Sequence, residues 1–328
     1  MALPSDWLLR LRLPLLVAPM LHISSPELVA QACLSGAMAA FPTANCADAV
    51  ALSQWIGRIR EILSSTALSG SRPAPFAANL IIKSPQAQAH LECLVRERVE
   101  LVITSVGSPR DVIAPLHSAG CRVFADVASL SHARKALQDG VDGLVLLTAG
   151  AGGQTGWVNG FAFVRAVRDF YDGPLVLAGG LGDGTSLWAA QALGAALGYM
   201  GTRFIAASES LASPSYKEQL IQANLDNVVL SSAITGLPAN WLQDSLQRAG
   251  VTPEDSTVFD KNHFTAPGGG QARRWKDVWS AGHCVSSVDK MAPTRAIIER
   301  LHEQYQTARA ASLRLPPLND NTTGVATA

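Results

Sequence analysis

The chain has 328 residues, enough for one large domain or two ordinary ones, and its 26 Lys plus Arg are balanced by 26 Asp plus Glu. That balance offers neither the basic field that a nucleic acid needs nor an acidic one for cationic partners, which speaks against polyanion binding. Five scattered cysteines without CxxC or Cys/His spacing indicate neither a disulfide framework nor a metal site.

Short apolar runs alternate with amphipathic stretches up to about residue 210, the pattern of repeated βα units and a parallel sheet. In chain order, strands are expected at Leu15–Met20, Ala37–Thr43, Phe76–Ile81, Leu101–Val106, Cys121–Val127, Gly143–Thr148, Pro174–Ala178 and Leu197–Met200. Helices between them include Pro26–Ser35, Ala47–Ser64, Ser131–Asp139 and Thr185–Leu193, and Gly36, Gly120, Gly140 and Gly194 stand where left-handed caps end helices. Eight such units close more naturally into a (β/α)8 TIM barrel than into an open doubly wound sheet, which would carry its glycine turn after the first strand. The sequence there, Ala18-Pro-Met-Leu-His22, has no such turn.

Residues 1–212 are therefore read as the barrel, completed by a helix at 293–311. Residues 213–290 are read as a small helical insertion or lid, interrupted at Ala266-Pro-Gly-Gly-Gly270, and 312–328 as a tail with too little apolar content to fold. No stretch long enough to span a bilayer is free of charges and breakers, and the first apolar run reads as no signal peptide; with reduced thiols, the expectation is a cytoplasmic protein.

The strand ends carry the chemistry. Three strands empty into glycines, at Gly143–Gly156, Pro174–Gly180 and Leu197–Phe204, and exposed backbone N–H groups of this kind point to a bound phosphate cofactor. Gly179-Gly180 and Gly201-Thr202 follow the seventh and eighth strands, where barrels most often hold a phosphate; tight βα turns are the competing explanation. Pro19 removes one donor from Ala18-Pro-Met20, which leaves the Met20 N–H as a directed amide, unless the strand merely ends in proline. Asn79 ends the third strand with a carboxamide suited to a pyrimidine-like ring or to a loop backbone. Asp126 ends the fifth, placed to accept from a ribityl hydroxyl or ring N–H, or to cap the next helix. Arg203 either adds charge at the phosphate or sits in a structural ion pair.

These residues resemble the nitronate monooxygenase (2-nitropropane dioxygenase) family of FMN-dependent barrels, whose relatives include enoyl-thioester reductases and NADH:quinone reductases. The resemblance covers nearly the whole chain and rests on Ala18-Pro-Met20, Ala78-Asn-Leu80, Ala149-Gly-Ala-Gly-Gly-Gln-Thr-Gly156, Leu177-Ala-Gly-Gly-Leu-Gly-Asp-Gly184, Ala192-Leu-Gly-Ala195, Met200-Gly-Thr-Arg-Phe204 and Trp279-Ser-Ala-Gly282. It implies FMN as cofactor, with Ala18, Pro19, Met20, Asn79 and Asp126 along the isoalloxazine and ribityl side. Gly152, Gly153, Gly179, Gly180, Gly201 and Thr202 would hold the phosphate. Many relatives carry lysine where this chain has Asp126, so the local charge is reversed.

Gln154 is the larger departure, because it stands where relatives carry a histidine. A carboxamide donates to an oxyanion but cannot remove a proton near neutrality. A nitronate is already deprotonated, so its oxidation by oxygen survives this change better than attack on a neutral nitroalkane. His22, on the loop above the first strand, is the other candidate catalytic residue. The leading expectation is an oxidoreductase taking a small-molecule nitronate and O2, with a homodimer allowed. The alternatives are an NAD(P)H-dependent FMN reductase of quinones or enoyl thioesters, and a flavin-binding protein altered in catalysis.

Overall fold

The computed structural model describes residues 3–66, 72–254 and 278–314. Eight strands close a parallel barrel. They are β1 (Leu15–Val17), β2 (Met38–Pro42), β3 (Phe76–Ile81), β4 (Leu101–Ser105), β5 (Arg122–Val127), β6 (Gly143–Leu147) and, beyond a two-residue β7 (Gly153–Gln154), β8 (Leu175–Ala178) and β9 (Leu197–Met200). β1 pairs with both β2 and β9, so the sheet has no free edge. The eight expected strands are all present, trimmed by up to three residues at their ends.

The helices are α1 (Ser5–Leu8), α2 (Pro26–Leu34), α3 (Ala49–Thr66), α4 (Ala87–Glu97), α5 (Arg110–Ser118), α6 (Leu130–Asp139), α7 (Gly160–Arg168), α8 (Gly184–Leu193) and the single turn α9 (Thr202–Ile205). Their starts follow from local chemistry. Ser25 accepts from the Leu28 N–H ahead of Pro26, Ser129 accepts from His132, and Asp183 and Ser186 form a reciprocal capping box. All four anticipated glycine caps have positive φ, from 81° at Gly36 to 112° at Gly194.

Residues on each strand alternate between two cores. Leu16, Met38, Ala77, Leu101, Phe124, Val145, Val176 and Leu197 fill the barrel interior, and Trp7 of α1 plugs its amino end 6.4 Å from the Phe124 ring. The opposite phase, among it Leu15, Val17, Phe41, Ala78, Val102 and Leu144, packs against the helices.

The segment after β9 is not wholly helical, which corrects the expectation for 213–290. It contains α10 (Pro214–Gln222), β10 (Val228–Ser231), β11 (Ala239–Leu242) and α11 (Gln243–Arg248). β10 and β11 pair antiparallel, and β11 pairs in turn with β7 in the loop after β6. Each strand has only four residues and one partner edge lies about ninety positions upstream, so no local period marks them. Trp241 is the buried centre of a small separate core with Ile234, Leu246 and Val278. The Ala266–Gly270 interruption and the tail from residue 315 lie outside the described residues.

α12 (Thr294–Ser312) returns to close the ring against α8 and α2. A Cβ at Gly184 would lie 2.2 Å from the Tyr305 nitrogen and 2.3 Å from the Leu301 carbonyl oxygen, so the two helices meet backbone to backbone. Gly184→Ala is expected to force them apart at a cost of about 1–3 kcal/mol, lowering the calorimetric thermal midpoint by roughly 5 °C. An unchanged midpoint would show that this seam yields freely.

Candidate active site

The carboxyl ends of the strands assemble the candidate residues in two tiers. The lower tier is the last inward layer of the barrel. Period-two alternation carries Leu16, Phe124 and Leu197 of the interior forward to Ala18, Asp126 and Tyr199. Asn79, two residues beyond the inward Ala77, belongs to the same layer.

Asn79 is buried and fully engaged. Its Nδ2 donates to the Ile103 carbonyl and to Ser105 Oγ, both at 3.2 Å, and its Oδ1 is 3.3 Å from Ser105 Oγ. The carboxamide thus clamps β3 to β4, the backbone-satisfying role that its sequence position also allowed. Asp126 behaves oppositely. Ser129 caps α6, so Asp126 is not the helix cap, and its Oδ1 is sealed from solvent with no hydrogen-bond partner among the described residues. Burial pushes its carboxyl up to about 7.

Tyr199 is a site residue that the sequence motifs did not single out. Its hydroxyl is also buried and unpartnered among the described residues, and burial followed by the charge of Asp126 holds its phenol well above the ordinary value. A signal was available: Tyr199 follows the buried Leu197 by two positions in a strand already recognised. Unpaired buried polar atoms are uncommon because each costs roughly 1–3 kcal/mol, and two at one barrel mouth fit a bound polar ring that would satisfy them.

The Ala18-Pro19-Met20 segment differs from expectation in one respect. The Ala18 N–H continues the sheet by donating to the Met200 carbonyl at 2.9 Å. The Met20 N–H is not a free directed amide, because it donates to Ser24 Oγ at 2.9 Å. The Ile23 and Ser24 amides both donate to the Met20 carbonyl, and this tight turn folds the serine hydroxyl back onto the amide.

The upper tier is the glycine rim. Gly150, Gly152 and Gly153 follow β6, Gly179 and Gly180 follow β8, and Gly201-Thr202 follow β9. Gly179 has φ 122°, and a Cβ there would lie 2.3 Å from Thr148 Oγ1, so only glycine fits. Gly180 is exposed at the rim with open space where a side chain would project. Trp279-Ser-Ala-Gly282 returns from the distal segment to lock this rim. The Gly282 N–H donates to Thr202 Oγ1 at 2.8 Å, the His283 N–H donates to the Gly150 carbonyl at 3.0 Å, and Trp279 stacks on Tyr216 with centroids 5.0 Å apart. Arg203 is buried in an ion pair with Asp289 at 3.2 Å and donates to the Ser287 carbonyl, so it is structural and not part of the rim.

Gln154 occupies β7, opposite Ala239 of β11. The Thr155 N–H donates to the Pro238 carbonyl, and Asn240 Nδ2 donates to the Ala151 carbonyl at 2.7 Å, so the distal sheet fixes the loop that presents Gln154. His22 is exposed on a left-handed backbone (φ 61°) with its N–H donating to Asn45 Oδ1. Asn45 also donates to the Ser24 carbonyl at 3.0 Å, which holds the whole turn in place. Trp157, in the same loop as Gln154, is 84% exposed.

This arrangement has counterparts in known proteins. The family model described as nitronate monooxygenase matches residues 7–304. Over 243 residues the chain is 30% identical to the (3aS,4S,5R,7aS)-5-hydroxy-7a-methyl-1-oxo-octahydro-1H-indene-4-carboxyl-CoA dehydrogenase of Mycobacterium tuberculosis, covering 73% of this chain and 68% of that protein. Over 281 residues it is 25% identical to the nitronate monooxygenase of Paraburkholderia phytofirmans, covering 73% and 76%. The structure of FabK from Thermotoga maritima superposes with a TM-score of 0.76 at 26% identity, covering 94% of this chain and 97% of that one. With the barrel, the glycine rim and the family motifs gathered at one face, the chain belongs to the nitronate monooxygenase family and is an oxidoreductase.

Proposed function

We propose that the chain binds FMN and oxidises alkyl nitronates with O2. The observation that carries this reading is the unpartnered pair Asp126 and Tyr199, set in the barrel mouth below a glycine rim. The main-chain amides of Gly152, Gly153, Gly179, Gly180 and Gly201, with the Thr202 hydroxyl, would hold the ribityl phosphate. Ala18, Pro19, Met20, Asp126 and Tyr199 would face the ring, with Asn79 bracing β3 against β4 in the same layer. When bound, the flavin supplies the electron-accepting chemistry, and the protein orients the substrate and sets the polarity around it. Gln154 donates a hydrogen bond to a nitro oxygen of the bound anion, and His22 stands on the substrate side above β1.

A second reading is favoured by the names of two similar proteins, a carboxyl-CoA dehydrogenase and FabK. In it the same flavin serves a thioester, with NAD(P)H as reductant. The absorption spectrum of the purified protein, followed by anaerobic titration with propyl-2-nitronate and with NADH in parallel, separates the two. A yellow protein bleached by the nitronate and not by NADH supports the leading reading, and the reverse supports the second. A colourless protein that FMN does not load overturns both.

A further inference from the structure

We propose that Asp126 is the reduction-linked proton acceptor of this site: on two-electron reduction of the flavin, the Asp126 carboxylate takes up a proton. The inference rests on the FMN reading above and concerns a carboxylate standing where the family resemblance leads one to expect lysine.

Its basis is the position of the group. β5 delivers Asp126 to the interior layer at the barrel mouth, and its Oδ1 is enclosed with no bond to any described residue. The flanking strands supply no counter-charge, since Leu101–Ser105 and Gly143–Leu147 contain no ionisable side chain. α5 and α6 cover the outer face of β5, and their charges are spent there. His117 and Arg122 pair with Asp142, Arg110 pairs with Asp139, and Arg134 lies over the Phe170 ring. Asp111, His132 and Lys135 are exposed. Tyr199 feels the charge of Asp126, and its phenol stays neutral because burial and the neighbouring carboxylate both oppose its ionisation.

An uncompensated carboxyl in such a place ionises near neutral pH, and a ring gaining negative charge beside it pushes that ionisation higher. Above neutral pH the oxidised protein therefore holds a carboxylate and the reduced protein a carboxylic acid. The balance is two electrons and one proton to the ring and one further proton from solvent to Asp126, with dithionite as the electron donor in the test below. The reduction equilibrium then falls about 100-fold per pH unit, which for a two-electron couple is about 60 mV, instead of the roughly tenfold or about 30 mV of a one-proton reduction.

The test is the flavin midpoint potential of the holoprotein, measured against reference dyes from about pH 6 to 9 in wild type, Asp126→Asn, Asp126→Glu and Tyr199→Phe, a range that brackets the expected ionisation. Wild type, Asp126→Glu and Tyr199→Phe are expected to show the steep dependence just above neutral pH, and Asp126→Asn the shallow one throughout. Proton uptake during reduction, followed with an indicator dye, gives a second readout, with one proton fewer consumed in Asp126→Asn. Equal slopes and equal proton uptake in wild type and Asp126→Asn would overturn the assignment while leaving the flavin reading intact. Failure of every form to bind FMN would instead overturn the flavin reading, and this inference with it.

Discussion

A Gln154→His variant is expected to turn over a neutral nitroalkane at least about 10²-fold faster than the wild type, with far less change for the preformed nitronate. The difference between the two substrates is one proton on carbon, and wild-type Gln154 has no ionisation near neutral pH with which to remove it. A positioned general base contributes about 10²–10⁴-fold. The replacement side chain would start from a fixed backbone, since β7 is held by β11 and the neighbouring Thr155 hydroxyl donates to the Thr148 carbonyl at 2.9 Å. Wild-type activity should correspondingly be confined to the anion. Initial rates at matched concentrations of nitroalkane and nitronate provide the measurement, and an unchanged ratio in the variant would remove Gln154 from the substrate side.

The second large effect is on stability. Asp126→Asn is expected to stabilise the flavin-free protein by roughly 2–4 kcal/mol above about pH 7.5 and to leave it nearly unchanged near about pH 3.5. The carboxyl rises from its ordinary 3.8 to about 7 in the folded chain, because burial disfavours the charged form. Well below pH 3.8 both states are protonated and the native state loses nothing. As pH rises the unfolded chain ionises first, so native stability declines up to about pH 7, beyond which the folded group is also ionised and the deficit is constant. A rise of that size is worth about 4 kcal/mol, and the partial solvent exposure of the side chain trims the figure. Asparagine keeps the shape and cannot ionise. Urea unfolding at the two pH values tests this, and a stabilisation independent of pH would mean that the Asp126 carboxyl titrates alike in the folded and the unfolded chain.

Together the two variants separate the site by height above the barrel. Gln154 acts from a loop braced by the distal sheet, and Asp126 acts from within the barrel itself.

The eight strands, their order and the glycine rim are legible in the chain itself. Runs such as Leu101–Ser105 and Leu175–Ala178 are buried almost throughout, and Gly140 and Gly194 end their helices through local backbone conformation, so nearby residues suffice to specify these features. The partner of each polar group became known only once the chain was folded. Whether Asn79 faces a ligand or clamps β4, whether the Met20 amide is free or taken by Ser24, and whether Arg203 is a phosphate ligand or the partner of Asp289 all depend on residues 4 to 86 positions away. The pairing of β7 with β11 and the meeting of Asp126 with Tyr199 are equally remote. Hydrogen bonding and desolvation depend on distances of a few ångströms in space, and chain periodicity reports which face a residue takes but not which distant atom arrives beside it.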